Sequence, residues 1–210
     1  NEDVEQMVID DEIVYGRVKD LLQGMAPEWA DRLKLYKGSN IFEYYEIEAE
    51  AVSAGNRQVP LASGGFLVID KTEAMTVIDV NTGSFVGNIS LGETAFALNK
   101  EAAVEIMHQL RLRDIGGIVL VDFSDMEKEE HNKALLQLLR QLAQQDRTKT
   151  HVVDITALGL VEITRKKTRH NIDNLLYRDC PVCQGSGRVL SAEALAINVC
   201  REIRRIEAHK

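Results

Sequence analysis

The chain has little of what marks secreted or membrane proteins. Its 210 residues include only three cysteines, too few for the disulfide framework of a secreted scaffold. No apolar run approaches the roughly 20 residues that a membrane span needs. The first residues, Asn1-Glu2-Asp3, are acidic rather than basic and then apolar, so no secretory signal peptide is expected. These features predict a cytoplasmic protein without a membrane span.

Aromatic residues are also scarce, at 5% of the chain. Trp29, Tyr44 and Tyr45 are predicted to fill the core rather than stack on bases, because the chain has no stripe of aromatic and basic residues of the kind that single-strand binders use. The formal net charge of −8 argues against a nucleic-acid partner when averaged over the chain. The charge is nevertheless segregated. Acidic residues cluster at 2–12 and 127–130, and basic residues at 147–149, 165–169 and 201–205.

The stretch from Gly64 to Gly83 is predicted to form a β-hairpin. Residues 66–70 and 74–80 are rich in Val, Ile, Phe and Thr, which is typical of strands, and residues 71–73 connect them. Asp79 and Asn81 end the second strand. Because residues i and i+2 of a strand point to the same face, this carboxylate and this carboxamide are expected to project side by side.

A later apolar strand, residues 118–121, also ends on an aspartate, Asp122. If the two strands are neighbours in one sheet, Asp79, Asn81 and Asp122 form an oxygen-rich group that suits Mg²⁺. The alternative is that these residues only cap strand ends, since Asp and Asn favour turns by bonding to nearby backbone.

The rest of the chain alternates strands and helices, which predicts an α/β fold in the broad sense that includes α+β. Strands at 4–9 and 33–36 and helices at 13–22 and 41–52 predict a small α/β unit. A boundary is expected at 54–56, followed by a mixed sheet flanked by helices. Its further elements are predicted as a helix starting at the N-cap Asn99 and ending at 112, a helix at 128–145, strands at 151–155 and 160–164, and a final helix at 192–208 capped by Ser191.

Cys180 and Cys183 form a CxxC pair, which supplies two of the four thiolate or imidazole ligands of a structural Zn²⁺ site. A second copy of the pair from another protomer would complete a Cys₄ site. His170 or His209 from the same chain, or a redox role, are the alternatives. Cys200 lies in an apolar helical pattern and is predicted to be a buried small residue.

Several basic residues are candidates for contacts with the phosphate backbone of a nucleic acid, whose binding needs positive charge. The alternatives are a solvated charged surface and, for the two arginines near a helix end, interaction with the helix dipole. The candidates are Arg111, Arg113, Arg147, Lys149, Arg165, Lys166 and Arg169.

The hairpin block GGFLVIDKTEAMTVIDVNTG is followed by RLRDIGGIVLVDFSDM, QQDRTKT, LGLVEITRKKTR and CPVCQGSG. Taken together and in this order, these motifs resemble the catalytic region of the ribonuclease E/G family over nearly the whole chain. The resemblance implies a Mg²⁺-dependent endoribonuclease that cleaves single-stranded RNA to 5′-phosphate and 3′-hydroxyl ends in RNA processing and decay. It further implies that Asp79 and Asp122 hold the metal and that Asn81 positions the scissile phosphate.

The same resemblance implies a domain order. Residues 1–54 would be the end of an RNase H-like subdomain, 55–176 a DNase I-like catalytic subdomain, 177–190 a zinc link, and 191–210 the start of a small C-terminal domain. Cys180 and Cys183 would share Zn²⁺ between two protomers, giving a homodimer and, in the full-length protein, a dimer of dimers. The chain lacks an initiating Met and the family's S1 and 5′-sensor domains, so it is expected to be a piece of a longer protein.

Two other functions compete with this interpretation. One is a non-catalytic module that dimerises through zinc or serves as an RNA scaffold, and the other is a metal-dependent DNA nuclease. The combination of Asp79, Asn81 and Asp122 argues against a pure scaffold, which would not need these residues.

Overall fold

A computed structural model describes residues 4–83, 91–126, 128–168, 172, 176–178 and 180–208. The chain forms two compact units, Asn1–Val59 and Pro60–Lys210. The division lies a few residues beyond the segment 54–56 at which the sequence predicts a boundary. No helix in the described ranges is both long enough and apolar enough to cross a membrane.

The first unit contains a small parallel strand pair. Its elements are β1 (Met7–Ile9), α1 (Glu12–Met25), a 3₁₀ helix (Pro27–Arg32), β2 (Leu33–Leu35), α2 (Ile41–Tyr44) and α3 (Ile47–Ser53). Met7 pairs with Leu33 and Ile9 with Leu35, and α1 is the crossover between these parallel strands. Asp11 begins α1 by accepting a hydrogen bond from the Val14 amide. The two predicted strands and the first helix are therefore present, with shifted ends.

The single helix predicted over 41–52 is instead two short helices, α2 and α3. Glu46 has a φ of 57° and separates α2 from α3, and a left-handed residue of this kind cannot continue a right-handed helix. Tyr44 and Tyr45 lie at the surface, where their rings meet edge to face with their centroids 5.0 Å apart. Tyr44 is 67% exposed, so the prediction that these tyrosines fill the core is wrong. Trp29 is half-buried beneath the Arg32 guanidinium.

The second unit is built on a mixed six-stranded sheet in the order β3–β4–β5–β6–β8–β7. The elements are β3 (Gln58–Pro60), β4 (Phe66–Lys71), β5 (Met75–Asn81), α4 (Leu91–Leu112), β6 (Gly117–Asp122), α5 (Glu129–Gln144), β7 (Thr150–Ile155), β8 (Val161–Arg165) and α6 (Ala192–Ala208). Strands β5 and β6 are parallel, whereas β4 with β5, β6 with β8, and β7 with β8 are antiparallel. The α/β fold with a mixed sheet flanked by helices is confirmed. The short strand β3 was not predicted.

Helices α4 and α5 pack against each other and cover one face of this sheet. Alternate strand residues point into this layer, because side chains of a strand alternate between the two faces. The core consists of residues such as Leu67, Ile78, Val119, Val121, Ile163, Ala102, Ile106, Leu110, Leu135 and Leu139. The opposite face is more open: Ile118 is 48% exposed there. Helices α4 and α5 therefore turn their apolar residues towards the sheet.

Two predictions about helical residues are wrong. Asn99 is not an N-cap, because α4 already begins at Leu91 and Asn99 is fully buried within it. Cys200 is exposed rather than buried, since α6 has no buried residue in the described part of the chain. The predicted cap of α6 is confirmed: the Ala194 amide donates a hydrogen bond to Ser191 Oγ at 3.2 Å.

Candidate active site

The carboxyl ends of the parallel strands β5 and β6 bring two aspartates together. Asp79 and Asp122 are directly paired in the strand register. Because neighbouring strands lie about 4.8 Å apart and paired residues point to the same face, their carboxylates share one side of the sheet. Both residues are exposed. The condition set from the sequence, that the two aspartate-ending strands are neighbours in one sheet, is met, and the register places their acids side by side.

Asn81 completes the group. Its amide Nδ2 donates a hydrogen bond to Asp79 Oδ2 at 2.8 Å, as expected for residues i and i+2 on one face of a strand. The bond orients the Asp79 carboxylate. The side-chain oxygen Oδ1 of Asn81 and the second hydrogen on its Nδ2 remain able to contact a ligand.

Two glycines allow the close backbone packing behind this group. A Cβ on Gly65 would lie 2.8 Å from the Asn81 carbonyl oxygen, and a Cβ on Gly83 would lie 2.5 Å from the Gly64 carbonyl oxygen. Gly83 also has a φ of 55°, a left-handed conformation that costs little only without a side chain. A larger residue at either position would therefore displace the backbone next to Asn81.

The donor set fits a magnesium ion. Mg²⁺ is usually held by one or two carboxylates and keeps several waters, and two exposed carboxylates beside an amide offer that arrangement. In the part of the chain that the structure describes, no group of three or more His, Cys, Asp and Glu side chains is arranged to hold a metal. A fully protein-ligated site for a softer metal is therefore not found among these residues.

The Cys180–Cys183 turn has the features of a thiolate metal ligand. The amides of Gln184 and Ser186 donate to the Cys180 and Cys183 carbonyl oxygens at 2.7 and 3.0 Å, which closes a tight turn. The backbone amides of Cys183 and then Val182 donate towards the Cys180 sulfur, and these bonds lower the pKa of Cys180 below its ordinary value. A thiol with a lowered pKa binds metal more readily, because the thiolate is the ligand.

Two cysteines would supply half of the four ligands that a tetrahedral zinc site needs. Cys180 is exposed and Cys183 is partly exposed, so both sulfurs can reach a metal ion at the surface. His170 and His209, the alternative ligands from the same chain, lie outside the described residues. Sharing of the ion between two protomers stays a prediction.

Arg165 is not available as an RNA contact. It is 5% exposed. Its guanidinium donates to Asp146 Oδ2 at 2.9 Å, to Asp114 Oδ1 at 2.8 Å and to the Ile115 carbonyl oxygen at 3.1 Å. Burial alone would lower the pKa of Arg165, but the hydrogen bonds and charges of the two aspartates raise it. The guanidinium of Arg165 is therefore bound by groups inside the fold.

Arg113 is also withdrawn from solvent. It is 3% exposed, and its Nε donates to Gln109 Oε1 at 2.6 Å. Arg169 lies outside the described residues. Of the predicted RNA contacts, the exposed ones are Arg111, Arg147, Lys149 and Lys166.

The exposed basic residues lie at one end of the strands of the sheet, and the aspartates lie at the other end. Arg165 pairs with Gly117 at the start of β6 and with Thr150 at the start of β7, whereas Asp122 ends β6. At about 3.3 Å per residue, the length of β6 separates these two ends by roughly 17 Å. Arg111 and Arg147 line an open groove of about 430 Å³ at the end opposite the aspartates. The Lys166 amide donates to the Lys149 carbonyl oxygen at 3.0 Å, which places these two lysines side by side.

The sequence profile of the Ribonuclease E/G family matches residues 1–168, a range that contains Asp79, Asn81 and Asp122. Among curated proteins, the chain is 45% identical over 204 residues to Ribonuclease G of Haemophilus influenzae and 42% identical over 205 residues to Ribonuclease G of Escherichia coli. Each of these alignments covers 97% of this chain and 42% of the relative.

Ribonuclease E of Haemophilus influenzae is 36% identical over 200 residues, which is 95% of this chain and 21% of that protein. The chain therefore spans about two fifths of the length of the ribonuclease G relatives and a smaller part of ribonuclease E. The family profile covers most of the chain and includes the paired aspartates at the sheet edge, so the chain belongs to the ribonuclease E/G family.

Proposed function

We propose that this chain is the catalytic part of a Mg²⁺-dependent endoribonuclease that hydrolyses single-stranded RNA in RNA processing and decay. The observation that carries the proposal is the register pairing of Asp79 with Asp122, beside an Asn81 that is bonded to Asp79. The names of the relatives, ribonucleases G and E, support RNA as the substrate. A DNA nuclease could use the same acids, but nothing in those names favours it.

Asp79 and Asp122 would hold the magnesium ion. When bound, such an ion polarises a phosphoryl oxygen and makes water a stronger nucleophile at neutral pH. The protein's own contribution is to hold two carboxylates on one exposed face. Asn81 fixes the orientation of Asp79 and can donate its second amide hydrogen to a phosphate oxygen. Water attacks phosphorus in line and the bond to the 3′-oxygen breaks, which leaves a 5′-phosphate and a 3′-hydroxyl.

The basic residues that would bind RNA lie at a distance from the phosphodiester bond that is cleaved. The exposed residues Arg111, Arg147, Lys149 and Lys166 lie across the sheet from the aspartates. Positive side chains attract phosphates without reading sequence. From the far end of the strands they would contact phosphates that are not cleaved, and their distance keeps positive charge away from the carboxylates.

The geometry of the cysteine turn supports a second element of the proposal, a zinc-linked homodimer. Two copies of the Cys180–Cys183 turn, each with a thiol of lowered pKa, would provide four thiolates. A module that only dimerises or only holds RNA is the competing function. Catalysis and dimerisation are compatible in one chain, because the aspartates and the cysteines belong to different segments.

The test uses Asp79→Asn and Asp122→Asn in the full-length protein. Each variant should lose Mg²⁺-dependent cleavage of an end-labelled single-stranded RNA and retain the far-ultraviolet circular dichroism spectrum. Asn81→Ala should lower kcat by about a hundredfold, the effect of removing one preorganised donor. Asp70→Asn is the matched control, because this carboxylate pairs with Val77 on the neighbouring strand and lies on the same face. Wild-type cleavage by both aspartate variants would refute the site.

A further inference from the structure

A buried asparagine connects helix α4 to the segment that follows Asp122. Asn99 is fully buried. Its Nδ2 donates to the Ser124 carbonyl oxygen at 2.7 Å, and its Oδ1 accepts from the Ser124 amide at 3.1 Å. Both polar groups of one backbone residue are thus bound by one side chain, two positions after Asp122.

Ser124 in turn contacts the neighbouring strand. Its hydroxyl donates to the Val80 carbonyl oxygen at 3.3 Å. Val80 stands between Asp79 and Asn81 in β5. A chain of three hydrogen bonds therefore runs from α4 through Ser124 to the backbone of the strand that carries the other two site residues.

These bonds begin where the strand ladder ends. The registered pairs of β5 and β6 run from Met75–Ile118 to Asp79–Asp122 and stop there. Beyond that pair, in the part of the chain that the structure describes, β5 and β6 have no further registered pairs with each other, although Val80 and Asn81 remain paired with β4. The hydrogen bonds of Asn99 and Ser124 hold the two strand ends together at this point, because they connect Ser124 both to α4 and to β5.

Burial of the Asn99 amide within a helix has an energetic cost. Asn99 lies in a helix between Leu98 and Ala102, both fully buried. An amide costs free energy when it is buried unless it is hydrogen-bonded, and Asn is a weaker helix former than Leu or Ala. An apolar residue would suit the helix better. The amide is useful here because it binds the backbone that follows Asp122.

We propose that Asn99 and Ser124 form a clamp that sets the separation of the Asp79 and Asp122 carboxylates. In this role both are positioning residues for the metal-binding pair, and neither is a ligand. The inference rests on the proposed function, and it adds a determinant of metal affinity that lies behind the site. Groups that orient metal ligands typically change metal affinity or activity by about 10–100-fold when they are removed.

The central test variant is Asn99→Leu, which keeps the size of the side chain and removes both bonds to Ser124. Gln109→Leu is the matched control. Gln109 is also a buried amide in α4, but it bonds to Glu105 and Arg113 at the other end of the helix. Both variants are expected to lower the melting temperature, so stability alone does not distinguish them.

The discriminating measurement is binding of Mn²⁺ in the absence of RNA, followed by electron paramagnetic resonance of the full-length protein. Asn99→Leu should weaken Mn²⁺ binding by about 10–100-fold, and Gln109→Leu should leave it unchanged. The Mg²⁺ concentration for half-maximal cleavage should rise by a similar factor, while the KM for RNA stays the same. Amide hydrogen exchange at Ser124 should also become faster in Asn99→Leu alone.

Ser124→Ala provides a second variant in case Asn99→Leu does not fold. It removes only the bond to Val80, so a smaller shift of Mn²⁺ affinity in the same direction is expected, and Ser124→Thr should restore the wild-type value. Wild-type Mn²⁺ affinity in Asn99→Leu, or in Ser124→Ala if that is the only folded variant, would overturn the positioning role. The proposed function would fail separately, if Asp79→Asn and Asp122→Asn still bound Mn²⁺ like the wild type.

Discussion

The buried ion pair of Arg165 leads to a quantitative prediction about stability. The side chains of Arg165 and Asp146 are 4% and 2% exposed, and they meet at 2.9 Å. Arg165→Met would leave Asp146 buried without its cation. Breaking a buried pair in this way costs about 3–5 kcal/mol in the free energy of unfolding. For a domain of this size, we expect a melting temperature lower by about 6–20 °C at pH 7.

The pH dependence provides the sharper test. Burial by itself raises the pKa of Asp146, but hydrogen bonds from Arg165, the Thr148 amide and the Thr150 hydroxyl, together with the charge of Arg165, hold it below 3.8. The wild type therefore loses this contribution as the pH falls from the unfolded pKa through the lower folded pKa. Without Arg165, its hydrogen bond and its charge no longer oppose the effect of burial, so the pKa of Asp146 rises relative to the wild type. The variant should then become relatively more stable as the pH falls towards 4.

Urea unfolding followed by circular dichroism, from pH 7 down to pH 3, measures both effects. The difference in unfolding free energy between the wild type and Arg165→Met should be largest at neutral pH and should narrow in acid. Asp114→Asn is the control. Asp114 is 24% exposed, so its loss costs less, and Asn tolerates the left-handed φ of 49° at this position. A difference that is absent at pH 7, or constant with pH, would refute the reasoning.

The remaining predictions concern zinc and RNA. The protein should contain about half a zinc per chain, because four thiolates bind one ion. Cys180→Ser with Cys183→Ser should lose the metal and shift the dimer to monomer by native mass spectrometry, whereas Cys200→Ser should do neither; one zinc per monomeric chain would refute sharing. Because the thiols must ionise to bind the metal, zinc affinity should fall as the pH is lowered. Lys149→Ala with Lys166→Ala should weaken RNA binding and reduce its salt slope by about 0.7 per lost phosphate contact, and an unchanged slope would exclude these contacts.

Much of the local structure follows from the sequence alone. The strands of the central sheet are apolar and rich in β-branched residues, and the helices carry apolar residues at helical spacing, so both kinds of element are encoded by short-range periodicity. The position of Asp79 and Asn81 on one face also follows from a local rule, the two-residue repeat of a strand. A second apolar strand that ends on Asp122 suggested that this residue belongs to the same site, and the family motifs supported that expectation.

Other features depend on residues that are distant in the chain. Whether Arg165 faces RNA or the core depends on Asp146 and Asp114, which are 19 and 51 positions away. A basic run in the sequence is compatible with both. Likewise, the helical pattern around Asn99 does not show that its amide binds Ser124, 25 residues further on. The sequence places a polar residue there, and only the packing of α4 on the sheet gives it a partner.

Some features of the site follow from the local sequence, and others follow only from the tertiary structure. The sequence determined that three oxygen-bearing side chains end two apolar strands, because their composition and spacing are local. Only the tertiary structure decided that β5 and β6 are parallel neighbours in the register that pairs Asp79 with Asp122. A register shifted by one residue would put the two carboxylates on opposite faces of the sheet. That register is held by the crossover helix and by side-chain packing against it, which are interactions between distant parts of the chain.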